Sequence, residues 1–256
     1  MKTSHLILFF AAFLISCSDN STYKSAKTFD IASIKEVGML HGDSLRLGEL
    51  KNPKRIQLID SLLLLTNHLT DKLIEIYNLK DGGRTGEFLN VGRAANELLS
   101  AQYVDYSVRT SKLWITDIMT YNTLVYESAD LSAVDSIRPV LSFQAPQHDN
   151  ILFLSSGEAL GLPTDYTHKH RVSVLDASGA VVRTIGGYPE YSEPLPETGL
   201  SDIFQSRLVV SSDEKRVAVF NRNTDLIELY DIETGTVVKL LHGPDKFFPI
   251  YKMAQD

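Results

Sequence analysis

The chain has 256 residues, 43% of them hydrophobic and 22% charged, and 25 Lys and Arg against 32 Asp and Glu give a formal net charge of −7 at pH 7. That balance is ordinary for a globular protein and excludes a disordered one; with no basic run to gather Lys and Arg on one face, it also excludes a nucleic-acid binder. A single cysteine, Cys17, excludes an internal disulfide.

Residues 1–16 read as a targeting segment. Lys2 gives a positive start, and Leu6 to Ile15 form an apolar run too short for the ~20 residues that span a bilayer. Leu14-Ile15-Ser16-Cys17 resembles the lipobox of bacterial lipoproteins. The resemblance implies that the Cys17 sulfur carries a diacylglycerol, that cleavage falls before it, and that its new amine is acylated. Several acyl chains, each contributing about 0.8 kcal/mol per buried CH₂, make such an anchor effectively permanent. Residues 17–28 are small and polar, which suits a flexible tether. Ser18-Asp19 weakly resembles the surface-export signal of Bacteroidetes lipoproteins.

From residue 29 to 256 a β-rich unit returns at intervals of roughly 50 residues, the period of a β-propeller with several strands per blade. Its turns read Asp81-Gly82-Gly83, Asp176-Ala177-Ser178-Gly179 and Asp231-Ile232-Glu233-Thr234-Gly235. Asp accepts hydrogen bonds from the loop backbone, and Gly supplies the positive φ that closes it. The inner strands are expected at 62–65, 112–116, 151–154 and 216–220, with the next strands at 72–77, 123–126, 171–175 and 226–230. Outer strands follow at 86–92, 182–186 and 237–243. In the second repeat Glu127 to Asp130 stands where the Asp-Gly turn should be. These apolar runs alternate only partly, as expected of sheets covered on both faces by neighbouring blades. A two-sheet sandwich would alternate more cleanly and would lack the period.

Gly92-Arg93-Ala94-Ala95-Asn96-Glu97-Leu98 resembles the Gly-Arg-Gly-Pro-x-Glu-Phe stretch that closes blades in six-bladed propeller lipoproteins of Bacteroidetes, grouped as TolB-like or NHL-like. Pro53 to Ser61 is similar to their first-blade opening. His242-Gly243-Pro244 with Phe247-Phe248-Pro249 is similar to a later blade closure, and 29–50 to the segment that supplies a strand to the last blade. The resemblance implies a six-blade ring with no catalytic residues and no cofactor. Four blades are legible, so the chain reads as an all-β propeller incomplete relative to that ring. Unpaired edges of an open ring favour self-association.

Candidate chemistry is sparse. His168-Lys169-His170 with Asp165 upstream is the most metal-like cluster, since His at i and i+2 of a strand share a face. It has no third ligand by spacing and falls in a polar loop, 155–167, so no metal is expected. Carboxylates that could converge on a glycosidase axis include Asp117, Glu158, Asp165, Asp176, Glu190, Glu193, Glu197 and Asp202. Nothing in the spacing brings them together, and no nucleophile elbow or Walker loop is present. Trp114, the sole tryptophan, reads as blade core. The Pro- and Tyr-rich segment 187–196 reads as an exposed connector. Asp43-Ser44-Leu45, Asp60-Ser61-Leu62 and Asp135-Ser136-Ile137 resemble the O-glycosylation triplet of exported Bacteroides proteins. The expected protein is an exported, lipid-anchored binding or scaffold module at the outer membrane, holding a protein or glycan partner. The alternatives are a glycan hydrolase or lyase, or a truncated remnant.

Overall fold

A computed structural model describes residues 26–28, 38–39, 41–68, 70–165, 167–190 and 199–241. The signal segment, Cys17 and the closure near Phe247 lie outside the described residues. Four antiparallel sheets follow one another as the blades of a β-propeller, each running in chain order from its innermost to its outermost strand. A three-residue strand, β1 (Ala26–Thr28), comes first. Blade 1 holds β2 (Pro53–Ile59), β3 (Leu62–Asn67), β4 (Lys72–Asn78) and β5 (Arg84–Asn90). Blade 2 holds β6 (Tyr103–Ser107), β7 (Lys112–Asp117), β8 (Asn122–Glu127) and β9 (Leu141–Gln144). Blade 3 holds β10 (His148–Phe153), β11 (Ala159–Pro163), β12 (His170–Leu175) and β13 (Val181–Gly187). Blade 4 holds β14 (Ser206–Val210), β15 (Arg216–Asn221), β16 (Leu226–Asp231) and β17 (Val237–Leu241). β1, from the stretch read as tether, pairs in parallel with β17 as a fifth strand, Lys27 opposite Leu240.

The turn chemistry is as the sequence dictates. Asp81 Oδ1 accepts from Gly83 N at 2.8 Å, Asp176 Oδ1 from Ser178 N at 2.8 Å, and Asp231 Oδ1 from Thr234 N at 2.8 Å. Gly179 closes its turn at φ +85°, and a Cβ there would sit 1.8 Å from the Gln144 carbonyl oxygen. The Gly92 to Leu98 stretch also closes as expected, with Glu97 Oε2 accepting from Ala94 N at 3.0 Å and Leu98 buried. In blade 2, short 3-10 turns at Ser128–Ser132 and Val134–Ser136 replace the Asp-Gly turn and carry the chain to β9.

Strand order within the blades corrects the sequence expectation. The runs at 62–65, 112–116 and 216–220 are second strands; only 151–154 falls largely within an innermost one. In blades 1 to 3 the second and third strands are covered on both faces, so they hold the longest apolar runs. Innermost strands border the axis and interleave Arg55, Gln57, Asp105, Asp149 and Arg207 among their apolar residues, which hides them from a search for runs. The polar loop expected at 155–167 contains β11, whose five residues are all buried. Its Gly161 is closely packed: a Cβ would meet Ile151 Cδ1 at 2.9 Å and move that methyl aside.

Blade 1 packs on blade 2 through an apolar cluster that includes Leu64, Ile74, Ile76, Val104, Leu113 and Leu124. Blades 2, 3 and 4 share a second cluster, among them Trp114, Leu152, Val172, Leu208 and Val219. Each such side chain contributes ~1.5–3 kcal/mol when withdrawn from water, an amount no isolated sheet could gather on two faces. The far face of blade 1 is partly covered by Leu47 and Leu79 on Leu63, Leu65 and Tyr77, while Ile56 and Leu58 stay exposed. On the far face of blade 4, Phe220 and Val238 are exposed.

Candidate functional site

The innermost strands of blades 2, 3 and 4 enclose a cavity of 490 Å³, within the range of small-molecule sites. β6, β10 and β14 and the turns that follow β6 and β14 form its wall. Trp114, Leu152, Phe153, Val108, Val209 and Val210 make most of it apolar. The Trp114 indole is fixed twice: Nε1 donates to the Ile151 carbonyl at 2.7 Å, and Phe153 meets the ring edge-on at 5.4 Å. Trp114 is therefore blade core, as expected, and also a cavity wall.

Two ion pairs supply the polar part of the wall. Arg207 on β14 donates through Nη2 to Asp105 Oδ1 on β6 at 3.1 Å, joining blade 4 to blade 2. Burial pushes the Asp105 carboxyl up, and Arg207 opposes that shift. Arg109 Nη1 lies 3.6 Å from Glu214 Oε2, which already accepts from Ser155 N at 3.0 Å and from the Ser155 hydroxyl. Exposure separates the partners: the side chains of Arg109 and Arg207 are 52% and 36% exposed, those of Glu214 and Asp105 each 15%. Guanidinium groups are thus the reachable polar chemistry of this cavity.

A second polar group lies on the same innermost strands, toward their starts. Arg55 Nε donates to the Gln102 carbonyl at 2.7 Å and its guanidinium stands 5.5 Å from the Tyr103 ring centre. Tyr103 OH donates to Asp149 Oδ2 at 3.4 Å. Burial pushes Asp149 up to about 6, against the lowering effects of Tyr103 and Arg222. Tyr103 rises to about 12, chiefly through burial and then through Asp149. The hollow beside Asp149 measures only 60 Å³.

Between blades 3 and 4 lies a buried lock. Arg171, 2% exposed, donates from Nε to Glu228 Oε2 at 2.9 Å and from Nη2 to Ser206 Oγ at 2.8 Å and Asn221 Oδ1 at 2.9 Å. Tyr230 OH donates to the other Glu228 oxygen at 2.7 Å. The Tyr188 and Phe204 rings flank the guanidinium at 5.1 and 5.8 Å, so the connector read as an exposed Tyr-rich loop has its first tyrosine packed inward.

The histidines of blade 3 pack against one another and share a hydroxyl. His168 and His170 rings meet edge to face at 5.0 Å, and His148 joins them, its ring 6.4 Å from His168. His148 Nδ1 lies 2.9 Å from the Pro146 carbonyl, which can only accept, so Nδ1 carries the proton and Nε2 accepts from Ser173 Oγ at 2.8 Å. Ser173 Oγ in turn accepts from His170 Nε2 at 2.7 Å. Both inward nitrogens are therefore spent on one hydroxyl. No group of three His, Cys, Asp or Glu able to hold a metal occurs among the described residues.

Among the described residues, the carboxylates picked out from sequence do not converge. Asp117 is a buried cap accepting from Leu99 N, Ser100 Oγ, Met119 N and Thr120 Oγ1 at 2.7–2.9 Å. Asp165 and Asp176 hold turns. Glu158 sits at a hairpin beside Ser156, and Asp202 lies in a short helix, Leu200–Ile203. Glu193 and Glu197 lie outside the described residues. The channel carboxylates are instead Asp105 and Asp149, which the sequence reading did not single out. Their available signal was a charged residue in an otherwise strand-like stretch directly ahead of an apolar run.

Residues 33–255 match a family model described as TolB-like 6-blade propeller-like. Among solved structures the chain is similar to a Bacteroides fragilis protein described as exported, at 16% identity and a TM-score of 0.60, covering 84% of this chain and 59% of that one. It also matches hydrazine synthase of Kuenenia stuttgartiensis at 14% identity and a TM-score of 0.47, covering 78% of this chain and 51% of that one. Streptogramin B lyase matches at 16% identity and a TM-score of 0.47, covering 75% and 55%. The chain thus spans 59% of the length of the Bacteroides structure, and at these identities the likeness is one of fold. No curated protein matches the sequence. The described residues build four blades where the family description names six.

Proposed function

The chain belongs to the TolB-like six-blade-propeller-like family, and on that premise we propose that it is an exported, lipid-anchored binding module of the bacterial cell envelope. It holds a small ligand in the cavity between blades 2, 3 and 4. Cys17, the one cysteine of the sequence and placed directly behind the apolar run, supports the anchor. The likeness to an exported Bacteroides protein supports the compartment. The outer membrane is the membrane that such a lipoprotein would occupy.

The observation that carries the binding role is the cavity itself: 490 Å³, mostly apolar, with a few fixed polar groups. Binding is favoured over catalysis because both cavity carboxylates are engaged, Asp105 by Arg207 and Glu214 by Ser155 and Arg109. A glycosidase needs two carboxyl groups free to face a sugar.

Two experiments test this reading. Palmitate labelling of the wild type is expected to vanish in Cys17→Ala, and equal labelling would refute the anchor. Native mass spectrometry of protein isolated from its own envelope is expected to show a bound small molecule that Val108→Trp, which fills the cavity mouth, excludes.

A hydrolytic reading has one observation in its favour: burial raises Asp149, beside Tyr103, to about 6, toward the range of a general acid. Its hollow of 60 Å³ holds only a few water molecules, too little for a sugar ring. Glycan cleavage by the wild type that is abolished in Asp149→Asn would favour this reading.

A further inference from the structure

From the cavity's chemistry we infer the class of its ligand: a small amphiphilic oxyanion, an aryl or short acyl body carrying a carboxylate or comparable group. This rests on the binding role proposed above and adds charge and polarity to it.

The apolar body follows from the wall. Trp114 and Phe153 stand edge to face, fixed by the indole bond to Ile151, with Leu152 and Val210 beside them. A rigid aromatic and aliphatic surface rewards a flat or branched apolar group and gives nothing to a fully hydrated one.

The anionic group follows from which charges a ligand can touch. A guanidinium carries five N–H donors in a planar fork. Arg207 spends one hydrogen bond on Asp105, and Arg109 stands 3.6 Å from Glu214, beyond hydrogen-bond range. Both side chains are partly exposed on the cavity wall, so several donors remain free to meet a carboxylate in the bidentate geometry that arginine favours. The carboxylates offer a cation far less. Asp105 Oδ1 is taken by Arg207, and Oδ2, though without a hydrogen-bond partner, is closed off from the surface. Glu214 Oε2 is taken by Ser155. The four charges sum to zero, yet the positive half is the more exposed. Accessibility decides the sign.

Trp114 is the sole tryptophan, which makes its emission a reporter confined to this cavity. The test titrates the full-length protein with 3-phenylpropionate, 3-phenylpropan-1-ol, 3-phenylpropylamine and inorganic phosphate. Expected is a saturable change with the carboxylate, with apparent affinity about tenfold or more above the alcohol and the amine. Phosphate alone should leave the emission unchanged, because it lacks the apolar body. Arg109→Ala, at an exposed side chain, should weaken the carboxylate severalfold and leave the alcohol unaffected. Arg207→Lys keeps the charge opposite Asp105, so the fold should survive, while the lost fork weakens carboxylate binding; thermal melting checks that both variants are folded. If the amine or alcohol binds as tightly as the carboxylate, or folded Arg109→Ala and Arg207→Lys bind it unchanged, the oxyanion inference is overturned and the binding role stands. If no phenyl probe perturbs Trp114 in folded protein, both fall together.

Discussion

Two blade interfaces of this molecule solve the same problem by opposite means. Blades 1 and 2 meet through hydrocarbon: Leu64, Ile74, Ile76, Leu113 and Leu124 interlock, and Phe88 meets Tyr126 edge to face at 5.4 Å. Blades 3 and 4 also bury apolar side chains, but within them lies the Arg171–Glu228 pair with Ser206, Asn221, Tyr188 and Tyr230 arranged around it. Hydrocarbon supplies free energy without direction, so the first interface can adjust and still hold. A buried ion pair returns little net energy after desolvation, and this one is expected to act instead by holding the sheets that carry it in one relative placement. That placement fixes β14 against β10, and with it the cavity wall bearing Arg207. The polar interface serves the site; the apolar one serves stability.

The contrast can be broken most sharply at the ion pair. Arg171→Ala leaves Glu228 buried without its cation and is expected to cost about 3–5 kcal/mol in urea unfolding. Arg171→Met with Glu228→Leu should recover most of that stability while weakening ligand effects on Trp114, since the sheets lose their fixed placement. If the double variant is as unstable as the single one, the pair is a source of stability and the comparison fails. Leu64→Ala in the apolar interface is expected to cost about 2–5 kcal/mol by leaving a cavity, with ligand response retained. A matching loss of response would show that both interfaces shape the site.

Smaller effects sharpen the picture. Gly179→Ala must place a Cβ against the Gln144 carbonyl at positive φ, and a loss above about 1 kcal/mol is expected from thermal melts. The histidine cluster of blade 3 predicts a pH dependence. Burial holds His148 below its ordinary value, and burial with His168 and His148 holds His170 near 4. The unfolded chain therefore binds more protons between about 6.5 and 4, so this contribution to stability is lost as pH falls through that window. Asp149, raised to about 6, acts in the opposite sense, losing its contribution as pH rises from about 4 to 6. Asp149→Asn should then steepen the acid-side decline seen in stability against pH, and a flatter profile would contradict the assignment. Least of all, Val238→Ser on the exposed far face of blade 4 is expected to shift stability by no more than about 0.5 kcal/mol.

What could be read from sequence divides along physical lines. Asp176 with Gly179 and Asp231 with Gly235 announce their turns because the hydrogen bonds are local. β3, β4, β7, β8 and β12 announce themselves because two-sided burial demands unbroken apolar runs. β2, β6 and β14 escape because their channel positions carry Arg55, Asp105 and Arg207. β11 escapes because Gly161 and Pro163 read as loop, although Gly161 packs closely against Ile151. The site was least legible: Asp105 and Arg207 are 102 residues apart, and only the folding of blade 4 toward blade 2 makes them a pair. Asp117, conspicuous in sequence, proved to be a cap with four donors.

Hydrogen–deuterium exchange of the whole protein with and without 3-phenylpropionate tests most directly whether the blade 2–3–4 cavity is where a ligand sits. Slowed exchange confined to residues 105–109 and 207–214, with blade 1 unchanged, is the predicted result. Protection elsewhere, on the exposed face of blade 1 or in the Arg55–Asp149 group, or no protection at saturating probe, would contradict it.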